Sequence, residues 1–313
     1  MPGFRLASFA VEGLGAGGGT LAAERRVLQA LALREADADL VALQGVTHAR
    51  ALERFRRREL ASTGGPDYRE ALLIEGNDPA AGHPALLARL PIVHVRSHAP
   101  TSFAEIGRMP PTGSSPEARV FSRDCLEVQI EVQARRLTLF VCHFNDPGEA
   151  GPLDGGEAVR QRRLAEAMAV RRIIERHWSD PAKAEWVVVG DLGDRLLDEE
   201  GRPMPNGGLA PLVAGGFAVD LLAAAIAVPA DRWTWHLGAT GIYRQHDHLL
   251  LSPALAQRNR RATPLILRGG TAWCAERHGG QRYPRVGWLE PAASSHCPVV
   301  VDLAFTGEPG PAF

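Results

Sequence analysis

Glu12, His143, Asp191, Asp247 and His296 each place an acid or imidazole group beside a short apolar run. Asp194 follows Asp191 closely, and His246 and His248 flank Asp247. An imidazole oriented by a carboxylate can act as a general base, while several carboxylates together can hold a divalent ion. A single histidine ending a strand is most often a satisfied structural residue. Acid and imidazole groups recurring at strand end after strand end are harder to explain by packing, and their common placement predicts one shared cleft.

The elements that must carry these residues can be read from the apolar pattern. Trp186-Val-Val-Val-Gly-Asp191 is a continuous apolar run broken by a turn, the pattern of a buried strand ending at Asp191. Further strands are expected at Phe4–Phe9, Asp39–Leu43, Arg69–Ile74, Ala85–Ala88, Ile92–Ser97, Phe217–Leu222, Trp233–His236, His248–Ser252 and Pro298–Phe305. Cys125–Val132 and Leu137–His143 read as a hairpin turning at 133–136. Helices are expected over Leu21–Ala36, capped by Thr20, over Ala49–Leu60, and over Glu157–Trp178. Thr101–Ala118 and Asn145–Gly156 are rich in turn residues, and the first reads as a long loop over the cleft. The arginine run 54–58 reads as a solvated helix face rather than a phosphate site. Strands outnumber helices and much of the pairing looks antiparallel. The expected fold is a two-sheet α/β sandwich with helices outside, formed as one domain over residues 1–313.

Bulk properties restrict the function classes. The chain has 313 residues, 45% hydrophobic and 23% charged, which suits an ordinary globular protein. Lys+Arg 35 against Asp+Glu 36 leaves a net charge of −1, so the overall balance recruits neither nucleic acid nor an anionic membrane. Lys183 is the only lysine, which excludes a lysine-dependent phosphate loop. Cys125, Cys142, Cys274 and Cys297 form no Cys-x-x-Cys pair and read as free thiols. Cys142 and Cys297 adjoin His143 and His296, but strand neighbours face opposite ways, so these thiols are expected in the core. No signal peptide or membrane span is evident, and cytoplasm is the expected compartment.

Six segments, in order, bring a resemblance: Leu6–Leu14, Asp39–Val46, Leu139–Phe144, Val188–Asp194, Tyr243–Ser252 and Ser294–Val300. The chain resembles the endonuclease/exonuclease/phosphatase superfamily, the DNase-I-like hydrolases, over nearly its whole length. The resemblance implies a four-layer α/β/β/α fold and phosphoester hydrolysis with one or two divalent ions, usually Mg²⁺. It also implies roles: Asp247 orients His296, His143 sits beside the scissile phosphate, Asp191 holds or activates the water, and Glu12 stands near the metal. Arg123, Asn145 and Ser295 are the expected substrate contacts.

The chain departs from that pattern at Ala10 (family Asn), Gly45 (metal-binding Glu), Gly193 (Asn) and Ser295 (Asp). His83 aligns loosely with a further acidic position. Mg²⁺ needs charged oxygen ligands, and Gly45 removes one outright. Three readings follow. The first is a repurposed enzyme using Asp247–His296 and His143, for which a small phosphate- or nucleotide-bearing substrate is the natural expectation and a wholly different one is equally permitted. The second is a divalent-metal hydrolase with a site rebuilt from Glu12, Asp191, Asp194 and His143, where mixed N/O ligation favours Mn²⁺ or Zn²⁺ over Mg²⁺. The third is a non-catalytic binding module.

Overall fold

The computed structural model describes residues 3–78, 80, 82–111, 113–144, 156–198, 200–306 and 308–309. Its strands are β1 (Gly3–Leu14), β2 (Leu40–Val46), β3 (Glu70–Leu73), β4 (His83–Ala88), β5 (Ile92–Ser97), β6 (Asp124–Val132), β7 (Arg135–His143) and β8 (Trp186–Asp191). They continue with β9 (Val219–Asp220), β10 (Trp235–His236), β11 (Tyr243–Arg244), β12 (Asp247–Leu251), β13 (Leu265–Ile266), β14 (Val299–Ala304) and β15 (Glu308–Pro309). One sheet runs β13-β14-β1-β2-β4-β3 and the other β5-β6-β7-β8-β12-β9, with β15 paired to β7. The hairpin β10–β11 stands apart from both. Most pairs are antiparallel; β1–β2 and β7–β8 are parallel.

Alternation explains the layers. Leu6, Leu40, Leu86, Leu139, Val189, Leu249 and Val301 are buried together between the sheets. Residues of opposite parity pack outward: Phe9, Val41 and Leu87 under helix α1 (Gly19–Ala36), and Phe140, Val188 and Leu250 under α3 (Gly156–His177). The period of two along each strand thus builds a four-layer α/β/β/α sandwich.

Differences from the sequence reading have local causes. Helix α1 starts at Gly19, with Gly18 as an N-cap lacking any side-chain bond, and Thr20 lies inside the helix. Helix α2 (Ala49–Phe55) passes into a π-turn over Arg56–Leu60, where Arg56 pairs with Glu53 at 2.7 Å as a solvated face would. Phe217–Leu222 keeps two strand residues, because Asp220 accepts from Leu222 N and caps a short helix instead. The segment Thr101–Ala118 is fastened to α3: Phe103 and Ile106 are buried beneath it, and Arg176 donates to Glu105 O at 2.9 Å. Most of Asn145–Gly156 lies outside the described residues. Cys125, Cys142, Cys274 and Cys297 are free and buried. Among the described residues, no helix is long and apolar enough to cross a membrane.

Candidate active site

The register of the second sheet aligns three of the expected residues. His143 pairs with Asp191 across β7–β8, and Asp191 pairs with Asp247 across β8–β12. All three share the parity of the inter-sheet residues, so they continue that face past the end of the apolar core. Gly190 permits the arrangement. It has φ +143°, and a Cβ there would lie 1.9 Å from Cys142 O, so β7 and β8 could not approach with any side chain between them. The first sheet contributes Glu12 from a bulge near the end of β1, and His296 stands just before β14.

His296 is 4% exposed and its Nδ1 lies 2.8 Å from Asp247 Oδ2, which fixes the ring with Nε2 toward Asp191 Oδ2 at 3.8 Å. Burial alone would lower its pKa. The charges of Asp247, Asp191 and Glu12, with the Asp247 hydrogen bond, outweigh burial and push the pKa up to about 10. His143 is the opposite case. Its Nε2 lies 3.7 Å from the same Asp191 oxygen, and its buried Nδ1 has no hydrogen-bond partner among the described residues. Burial, then the charges of Arg123, His296 and His83, hold its pKa well below the usual range. One cationic and one neutral imidazole therefore lie beside the same carboxylate oxygen at neutral pH. Asp191 Oδ1 is occupied by Gly193 N at 2.9 Å.

Glu12 is held by Ser294 Oγ, Ser295 N and Ser295 Oγ, each at 2.7 Å. The residue as a whole is exposed, but its carboxylate sits inside this ring of donors. Burial would raise its pKa, yet the charge of His296 and the serine hydrogen bonds prevail and lower it. Ser295 thus spends both its N–H and its hydroxyl on Glu12. Arg123 is 8% exposed and donates to Phe144 O. Asn145 lies outside the described residues. Asp194 turns away from the cleft, accepting from Arg195 N at 2.8 Å and Gly208 N at 3.1 Å. His248 faces outward, with Nε2 2.9 Å from Asp194 O. His83 offers no carboxylate; its Nδ1 accepts from Gly76 N at 3.0 Å.

The donor set does not fit the family's metal. Gly45 offers no ligand, and at φ +82° any side chain would be strained, with its Cβ 3.1 Å from Glu12 N in the bulge of β1. Glu12 is saturated by serines, and Asp194 faces elsewhere. Among the described residues, no group of three His, Cys, Asp or Glu could hold a metal ion.

Thr234 and Trp235 were not legible as site residues. Buried Thr234 Oγ1 accepts from both His246 N (3.1 Å) and Asp247 N (3.0 Å), and so positions the carboxylate that holds His296. Trp235 stacks on His246 with ring centres 4.5 Å apart and lies 6.4 Å from His296. The signal was a lone threonine between two tryptophans, indistinguishable from ordinary strand alternation.

No protein-family model and no curated protein matches the chain in sequence. Solved structures match its fold along its length. An endonuclease/exonuclease/phosphatase from Bacteroides vulgatus is 14% identical with TM-score 0.60, over 98% of this chain and 100% of that one. Another from Beutenbergia cavernae is 17% identical with TM-score 0.59, over 100% of this chain and 74% of that one. The chain has the endonuclease/exonuclease/phosphatase fold. A third structure of this fold, D. rerio TDP2 complexed with a single-strand DNA product, is 15% identical with TM-score 0.59, over 97% of this chain and 99% of that one. The DNase-I-like sandwich expected from the six segments is therefore the one observed, and identities this low speak to fold alone.

Proposed function

We propose that the chain is a hydrolase repurposed on this fold, cleaving a small phosphate-bearing substrate with two imidazoles and no divalent ion. The observation that carries the reading is a cationic His296 and a neutral His143 beside the same Asp191 Oδ2, at 3.8 and 3.7 Å. Neighbouring groups whose pKa values are driven apart mark the acid and the base. Both contacts are longer than a hydrogen bond, so an oxygen placed beside the three groups, not between them, could be reached by all of them.

In this reading neutral His143 takes a proton from the attacking water as its oxygen bonds to phosphorus. The bond to the leaving oxygen breaks, and that oxygen takes the Nε2 proton of His296. The His296 charge also stabilises the phosphoryl oxygens, the task a metal would otherwise perform. This differs from a general-base role for His296, which its raised pKa disfavours. The phosphate class of substrate is supported by the likeness to endonuclease/exonuclease/phosphatase structures.

The test is turnover of phenyl phosphate and glycerol phosphate, whose leaving oxygens need a proton, in excess EDTA. Chelator should leave the rate unchanged, and His296→Ala should lower it by ~10²–10⁴, the usual worth of a positioned acid. Turnover only with added Mg²⁺ or Mn²⁺, or an undiminished His296→Ala rate, would refute the proposal. The same pair, 0% and 4% exposed, would also serve a binding module as a buried clasp. A His296→Ala variant that only melts earlier, in a protein that turns over neither ester, would select that second reading.

A further inference from the structure

A cavity of about 370 Å³ is lined by Tyr243 and Arg244 of the β10–β11 hairpin and by Gln245, two residues before Asp247. Arg195, Arg232, Arg244 and Arg277 line it. The one carboxylate among its described lining residues, Asp198, is already bound by Arg202 Nε at 2.8 Å. Arg195 and Arg244 have interactions of their own. The informative pair is Arg232 and Arg277.

Arg232 is 8% exposed, and among the described residues its guanidinium bonds only backbone oxygens, Ile226 O at 2.7 Å and Ala227 O at 3.3 Å. A buried cation without a counter-charge is costly, and its persistence beside a cavity marks a place where an anion would be favourable. Arg277 is exposed, with its guanidinium carbon 4.6 Å from the Tyr243 ring centre and its backbone N–H donating to Tyr243 Oη at 3.3 Å. The ring holds the planar fork in place and leaves its N–H edges for a ligand. In a chain whose net charge is −1, this concentration of cations is local.

We infer that this cavity is an oxyanion subsite for a phosphoryl group, bound by Arg277 and Arg232 and separate from the His296–Asp191 centre. Arg244, which lines the cavity, lies three residues before Asp247, so those two Cα atoms are at most about 11 Å apart. One substrate carrying two phosphoryl groups could occupy both. That last step rests on the phosphate-hydrolase reading, whereas anion binding in the cavity does not.

The probe is inorganic pyrophosphate, titrated calorimetrically at pH 7.5 and low salt into wild type, Arg277→Gln, Arg277→Lys and His296→Ala. Wild type should bind at or below millimolar concentration. Arg277→Gln should weaken binding about tenfold or more, since a charge-assisted bond is lost, and Arg277→Lys should recover part of it. His296→Ala should still bind, because its substitution empties only the catalytic cleft of its cation. If His296→Ala does not fold, amide shifts in wild type locate the anion instead, moving at Tyr243 and Arg277 rather than at Gly193 and Ser295. No binding at millimolar pyrophosphate, unchanged affinity in Arg277→Gln, loss of binding in folded His296→Ala, or shifts confined to Gly193 and Ser295 would each overturn the inference. All these readouts are independent of turnover, so an inactive protein with an intact anion site separates this inference from the proposed function.

Discussion

Replacing Asp247 by Asn should make the stability of the protein depend less on pH, by an amount the site geometry allows to be worked out. His296 has its pKa raised from 6.5 to about 10 in the fold. A raised folded-state pKa stabilises at low pH: the contribution is whole below about 6.5 and is lost as pH rises through about 10. At about 1.4 kcal/mol per pH unit, this is on the order of 5 kcal/mol. Asp247 acts on His296 twice: its charge outweighs that of Asp191, and its hydrogen bond outweighs the charge of Glu12. At least half of the upward push therefore belongs to Asp247, and its loss should bring the ring to about 8 or below. The variant should then be less stable than wild type by about 2–3 kcal/mol below pH 8, and the gap should close between pH 8 and 10. Denaturant unfolding at half-unit pH intervals measures this, and groups titrating equally in both proteins cancel in the difference. A gap that stays constant from pH 6 to 10.5 would show that Asp247 does not hold His296 charged.

Gly45→Glu, combined with Ser295→Asp, would restore the family's ligand types, but Gly45 stands at φ +82° against Glu12 N. The double variant should lose ~1–3 kcal/mol of stability and gain no Mg²⁺-dependent rise in melting temperature, a rise being the contrary result. Thr234→Val keeps the shape but leaves the His246 and Asp247 amides unpaired. It should cost ~1–3 kcal/mol by chemical denaturation and lower the His296 pKa by loosening Asp247, so an unchanged pKa would deny Thr234 its positioning role. Glu12→Gln removes a carboxylate whose lowered pKa stabilises the fold above its unfolded value of 4.5, a contribution lost as pH falls. Wild type and variant should therefore differ in stability at pH 7 and converge toward pH 3, and parallel curves would contradict this.

The strand ends were legible because alternation is a strong signal: His143, Asp191 and Asp247 each follow or precede a run whose parity fixes their face. The pairing of Asp247 with His296 came from the resemblance, and the 2.8 Å contact agrees with it. What could not be read was direction after a turn. Asp194 is as acidic as Asp191, yet two backbone amides claim its oxygens within the loop. Glu12 had the chemistry of a metal ligand, but only the folded bulge brings Ser294 and Ser295 onto it. Gly45 was visible as a missing ligand; the structure adds a positive φ and a close approach to Glu12 N that strain any side chain there. The charge state of His296 depends on three carboxylates outweighing burial, and that of His143 on burial and neighbouring cations, which are properties of the assembled cleft.

The most direct test of the account is the protonation of the two imidazoles themselves. Ring signals of His143 and His296 in ¹³C-labelled wild type, assigned with single-site variants, can be followed from pH 5 to 11. His296 should stay protonated until about pH 10, and His143 should still be neutral where an ordinary imidazole has already taken up its proton. If both rings titrated together near 6.5, the cleft would hold no separated acid and base, and the account would fail.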